Sequence, residues 1–159
     1  MPRVRASSNA STLACTSLAP SGITARAAKL WPEASWAELV RLLQRAGYAC
    51  ILPWGSDEER ARSERIAAGT DGAIVPPKFS LEEMSALVAG AGVVVGVDTG
   101  FTHLAAALAR PVVGIFCDSN PVDASPIGPG PTAYRGHIGK PPAVGAVADA
   151  IREVVPGSV

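Results

Sequence analysis

A charge excess of either sign, cysteines at metal-binding spacing and a long apolar run are all missing from this sequence, and each absence narrows what it can do. Lysine plus arginine number 14 and aspartate plus glutamate 14, a formal net charge of zero, so there is no electrostatic footprint for nucleic acid. Charged residues are 18% against 48% hydrophobic, which excludes a self-repelling disordered chain. Cys15, Cys50 and Cys117 are odd in number and too far apart for a metal motif, so no metal is expected. They read as reduced thiols in a cytoplasmic setting, with Cys50 and Cys117 inside expected core strands. The longest charge-free apolar stretch, Met84 to Val97, is too short and glycine-rich to cross a bilayer, so any membrane contact is expected to be peripheral. No Gly-x-Gly-x-x-Gly follows an expected strand, and Gly90-Ala91-Gly92 precedes one, which disfavours a dinucleotide-binding dehydrogenase. At 159 residues the chain has room for one domain with a real core, and not for two ordinary ones.

What the sequence does have is concentrated between Val93 and Leu108, VVVGVDTGFTHLAAAL. The run Val93 to Val97 is β-branched apart from Gly96, the pattern of a strand covered on both faces in a parallel sheet. It runs straight into Asp98-Thr99-Gly100 and a helix-forming stretch. Ligands bind at the carboxyl ends of such strands, and here the helix start offers unpaired amides from about Gly100 to His103 with the positive end of a dipole, a combination that suits phosphate. Taken singly, Asp98 reads as a helix cap, Gly100 as a tight turn and His103 as a packed helix residue; within six residues they read as a site. The same Asp-Thr-Gly is the catalytic loop of aspartic proteases. Those are all-β and need two carboxylates sharing a proton, whereas a helix follows here and no second Asp-Thr-Gly or Asp-Ser-Gly occurs.

The rest of the chain alternates. A helix is expected over Trp36 to Ala46 with Ser35 as its cap, and a strand over Tyr48 to Leu52. A loop at Pro53 to Ser56 leads to a charged, solvated helix from Asp57 to Ala68, then a short strand Ala73 to Val75. Ser80 and Glu83 form a capping box for a helix through Ala89. Beyond the central segment, Pro111 opens a strand over Val112 to Phe116, and Asp118 to Pro142, rich in proline and glycine, reads as a long irregular loop. A closing amphipathic helix spans Ala143 to Val155. This order predicts an α/β fold, a Rossmann-like parallel sheet with flanking helices. Met1 to about Ile23 stands apart, low in large apolar residues and without strand period or targeting segment, and is expected to be poorly ordered.

Three motifs then carry a family resemblance: Lys29-Leu30-Trp31-Pro32-Glu33; Leu52-Pro53-Trp54-Gly55 with Glu59; and Asp98-Thr99-Gly100 with His103 to Leu108. Their order and spacing resemble the C-terminal half of the lipopolysaccharide heptosyltransferase I family, GT-B enzymes of glycosyltransferase family 9. The resemblance covers Thr24 to the C-terminus, and Phe116 to Pro121 is similar to the family's segment after the last core strand. It implies a nucleotide-sugar domain over 24–159 and a metal-independent, cofactor-free, inverting transfer of heptose from ADP-heptose to Kdo of the lipopolysaccharide inner core. The implied place is the cytoplasm, at the inner membrane. Thr99, Gly100 and the amides through His103 would hold the diphosphate, and Lys29 would stabilise the leaving ADP. Glu59 would accept from the ribose hydroxyls, with Glu58 as its near neighbour. Asp98 would contact heptose or fix its loop and is not expected to be the base. Thr24 matches a family threonine near the phosphates, while the family's second threonine is Ala25 here. Trp54 either lines the adenine pocket or packs against it.

Two departures accompany the resemblance. The acceptor domain for Kdo-lipid A, which carries the family's catalytic base, is not found in this sequence, so the chain alone is not expected to turn over. Where the family has an apolar strand leading to the lysine motif, Ser11 to Gly22 does not read as a strand. A shortened or frame-shifted reading frame would produce both, and loss of that strand would leave an exposed, association-prone sheet edge. A non-catalytic nucleotide-binding module is the alternative function; it would bind ADP and ADP-heptose equally.

Overall fold

The computed structural model describes the backbone of residues 12–16, 30–97, 100–124 and 127–158, and the side chains of all these except 12–16, 123 and 124. Within them lie five strands, β1 Thr12–Thr16, β2 Ala49–Ile51, β3 Val93–Val97, β4 Val112–Ile115 and β5 Thr132–Arg135. The helices are α1 Glu33–Arg45, α2 Asp57–Ala68, α3 Leu81–Gly90, α4 Gly100–Ala107, α5 Pro121–Ala124 and α6 Val144–Val154. All four strand pairings are parallel, in the order β2-β1-β3-β4-β5. The fold is the expected α/β one, a Rossmann-like parallel sheet with helices on both faces.

Because successive residues of a strand face opposite ways, β3 serves two cores. Val93, Val95 and Val97 join Val113, Ile115 and Ala133 beneath α1 and α6, where Trp36, Leu39, Val40 and Leu43 meet Val147, Ala150 and Ile151. Val94 and Val112 point the other way, onto Val88 and Ala91 at the end of α3 and Ala105 and Ala106 of α4. All five residues of β3 are buried, as its β-branched run predicts.

Four expectations are corrected. Ser11 to Gly22 does contain a strand: β1 pairs with β2 at Leu13 and Cys50 and with β3 at Leu13 and Val93. It occupies an inner position, so the expected exposed edge there does not arise. The loop expected over Asp118 to Pro142 contains α5 and β5, with Ile115 of β4 in register with Arg135. Helix α1 begins at Glu33 with Pro32 rather than Ser35 at its cap and no side-chain cap bond; the fixed proline φ and the acidic first turn start it instead. Ala73 to Val75 forms no strand, only a bridge in which Ile74 exchanges hydrogen bonds of 2.9 and 2.8 Å with Cys50 and Leu52.

The capping boxes are local enough to be read directly. Ser80 Oγ accepts from Glu83 N at 3.2 Å while Ser80 N donates to Glu83 Oε2 at 2.8 Å. That backbone bond, with the serine hydroxyl, holds the Glu83 carboxyl below its ordinary 4.5. The stabilisation is therefore full above that value and lost as the pH falls through the lowered one. Ser80→Ala removes one acceptor from the first turn of α3 and is expected to cost about 1 kcal/mol, a fall of about 3 °C in thermal midpoint. Calorimetry at neutral pH checks this; an unchanged midpoint would mean that solvent replaces the cap.

Candidate functional site

In a sheet of this order the path reverses beside β1. From β1 the chain moves outward to β2, then α2 and α3 carry it back past β1 to β3. Helices leaving neighbouring strands on opposite faces open a crevice at the carboxyl edge, between β1 and β3. Among the described residues, the segments entering that edge are Leu52 to Ser56 after β2 and Phe116 to Ser119 after β4, with the start of α4. Thr24, Lys29, Asp98 and Thr99 lie outside the described residues.

Gly100 opens α4 directly after the buried strand. The helix buries Thr102, Ala105 and Ala106 and leaves Gly100 and His103 exposed. A Cβ built on Gly100 would meet nothing within 4 Å among the described residues, so the space beside the first residue of the helix is open there. The first-turn amides and the dipole are directed to this edge.

The β2 side brings Glu59 to the same edge. Ser56 caps α2, and Glu59 Oε2 accepts from Gly55 N at 2.7 Å and Ser56 N at 3.0 Å. Its carboxylate is thereby fixed in the strand-end loop through one oxygen. Glu59 is half-buried and Glu58 exposed, which separates the two glutamates. Trp54 is 8% exposed, its indole N–H donates to Pro76 O at 2.7 Å, and the Arg60 guanidinium lies 5.4 Å from the ring centroid. Of the two roles left open for Trp54, packing beneath the loop is the one its contacts serve.

A cation that sequence reading missed ties this side to the lysine motif. Arg62, expected on a solvated helix face, is 9% exposed, and its Nη2 donates to Trp31 O at 2.5 Å. Burial lowers its pKa, opposed by Glu33. One turn on, Arg65 grips Glu33 through two bonds of 3.1 and 2.8 Å, which hold the Glu33 carboxyl below its ordinary range and raise Arg65. Cys117, at the end of β4, is a free buried thiol whose pKa burial raises, with Arg62 opposing. The signal for Arg62 was its place three residues after Glu59, on the same helix face. Among the described residues no group of acidic, histidine and cysteine side chains is placed to hold a metal ion, and no helix is long and apolar enough to cross a membrane. The edge thus carries the first-turn amides and positive dipole end of α4 after β3 and, after β2, a carboxylate fixed by its own loop.

Comparison with known proteins gives a consistent result. Residues 8–149 match the sequence pattern of Glycosyltransferase family 9 (heptosyltransferase). Over 98 residues the chain is 47% identical to lipopolysaccharide heptosyltransferase 1 of Salmonella typhimurium, covering 62% of this chain and 31% of that protein. The corresponding Pseudomonas aeruginosa protein is 48% identical over 93 residues, 58% of this chain and 26% of its own. The chain therefore spans about a third or less of these relatives. The solved structure of E. coli heptosyltransferase WaaC with ADP superposes with a TM-score of 0.77 at 34% identity, over 93% of this chain and 46% of that one. The same enzyme with ADP-2-deoxy-2-fluoro heptose gives 0.70 at 35% identity, over 92% and 44%.

Proposed function

The chain belongs to glycosyltransferase family 9, the heptosyltransferases, and on that footing we propose that it is the ADP-heptose-binding, C-terminal half of a GT-B heptosyltransferase of lipopolysaccharide inner-core synthesis. The observation that carries this reading is the start of α4 at Gly100, after a fully buried strand and beside the point where the sheet order reverses. The E. coli enzyme solved with ADP and with a fluorinated ADP-heptose supports a nucleotide-sugar ligand for that edge.

In this reading the diphosphate lies against Thr99, Gly100 and the amides through His103, with Thr24 beside it. Lys29 neutralises the charge that develops on the departing ADP as the bond to the heptose anomeric carbon breaks, so it acts more strongly in the transition state than in the bound donor. Glu59 takes the ribose hydroxyls and Asp98 the heptose side. The acceptor, Kdo-lipid A, and the base that deprotonates its hydroxyl are assigned to an acceptor domain beyond residues 1–159, and the enzyme to the cytoplasmic side of the membrane as a peripheral protein.

Calorimetric titration with ADP, ADP-heptose and NAD tests this. ADP-heptose is expected to bind saturably and more tightly than ADP, NAD not at all, and Lys29→Ala to weaken ADP-heptose about tenfold, the worth of one charge-assisted hydrogen bond. Equal affinity for ADP and ADP-heptose would favour the non-catalytic module; no binding by the folded chain would overturn the reading.

A further inference from the structure

Helices α2 and α3 both open on a Ser-x-x-Glu capping box, and the two boxes differ in one backbone bond. At α3, Glu83 accepts from the N–H of its cap, Ser80, and the residue before that cap is Phe79. At α2, Glu59 Oε2 accepts from its cap, Ser56, at 3.0 Å and also from the residue before it, Gly55, at 2.7 Å. A capping box needs only the first of these bonds. The second ties the carboxylate down by the same oxygen, so that it cannot turn away without losing a bond. Glu83 is exposed, whereas Glu59 is half-buried.

Gly55 is not called for by backbone conformation, because its φ lies outside the left-handed region. Space calls for it instead. Outside its chain neighbours, a Cβ there would have a single contact within 4 Å, Glu59 Oε2 at 3.1 Å, close enough that the carboxylate would have to give by a few tenths of an ångström. The surroundings are otherwise held in place. Trp54 is buried and bonded to Pro76 O, and Ser56 Oγ accepts from Glu59 N at 3.3 Å. The arginines of α2 are engaged elsewhere: Arg60 with Glu64 and the Trp54 ring, Arg62 with Trp31 O, and Arg65 with Glu33. Among the described residues no ion pair draws Glu59 from its loop.

We propose that Gly55 is a positioning residue: by donating its N–H and presenting no side chain, it seats the Glu59 carboxylate through Oε2 and leaves Oε1 for the ribose hydroxyls. This rests on the donor-site reading of Glu59. A side chain at Gly55 moves the tip of Glu59 and not the fold, so it weakens the ligand while stability is kept.

The experiment titrates the full chain, as wild type and as Gly55→Ala, with ADP and with dideoxy-ADP, which lacks both ribose hydroxyls, and adds a thermal scan of each protein. Gly55→Ala is expected to weaken ADP about fivefold and dideoxy-ADP less than about twofold, a coupling of the size shown by groups in one hydrogen-bond network. The thermal midpoint is expected to stay within about 2 °C of wild type. Equal losses for the two ligands, or no loss for either, overturn the proposal and leave the Glu59 reading intact. A midpoint lower by more than about 5 °C overturns it as well, since the loop and not the carboxylate would then have moved. If the wild type binds ADP and dideoxy-ADP equally, Glu59 takes no ribose hydroxyl, and its reading falls together with the proposal.

Discussion

Gly136→Ala is expected to lower the thermal midpoint by about 10 °C, from a loss of about 3–4 kcal/mol. Gly136 follows β5 with φ +86°, and a Cβ there would lie 2.1 Å from Phe116 O and 2.7 Å from Pro142 Cδ. The first obstacle is backbone. Phe116 is also tied to this strand by its own N–H, which donates to Arg135 O at 2.9 Å, so the overlap is relieved only by prising the ends of β4 and β5 apart. The left-handed φ adds about 1–2 kcal/mol for any side chain, and the displacement about 1–3 more. Gly47 supplies the control: its φ is +91°, yet nothing lies within 4 Å of its Cβ position, so Gly47→Ala meets only the conformational term. Thermal scans of the two variants measure the difference. Equal shifts would mean that the contact at Phe116 gives way freely and that β5 is loosely held.

Glu59→Ala is expected to weaken ADP about a hundredfold, the largest loss at the donor site, because this carboxylate would accept two charged hydrogen bonds from ribose. The loop it organises would go as well. Oε2 joins Gly55 and Ser56 to α2, leaving Oε1 as the oxygen for a ligand. Glu59→Gln separates the two duties: an amide oxygen can still accept from the loop, but the charge that strengthens the ribose bonds is gone, and about a tenfold loss is expected. A thermal midpoint near wild type for Glu59→Gln, with weakened ADP, assigns the carboxylate to the ligand. If both variants bind ADP as the wild type does, Glu59 is a helix cap only, and Glu58 is too exposed to take its place.

The elements legible in the sequence were those whose signal lies within their own residues. Helix α2 runs from Asp57 to Ala68 as read, because Ser56, Glu59 and Gly69 mark both of its ends. Strand β3 announced itself by composition. Strand β1 did not, because Thr-Leu-Ala-Cys-Thr becomes a strand through the neighbours it pairs with on both sides, β2 and β3, and strand preference depends on such partners. Strand β5 was hidden by the prolines and glycines around it, although Thr132 and Tyr134 are strand formers. At the site, Glu59, Gly100 and His103 are all found around the strand-end edge. Arg62 was missed because its burial is tertiary: beyond its spacing from Glu59, nothing in a helix of alternating charge distinguishes it from Arg60 or Arg65, which stay in solvent.

The inner position of β1 also has a meaning in time. Its partners Val93 to Gly96 are synthesised only after α1, β2, α2 and α3. Until then β2 is its sole neighbour, and a two-stranded pair is marginal in water. The sheet therefore cannot be completed from its beginning. β3, β4 and β5, successive in the chain and adjacent in the sheet, need only short loop closures, whereas seating β1 between β2 and β3 closes the longest loop of the described strand pairings and belongs to the slow end of assembly.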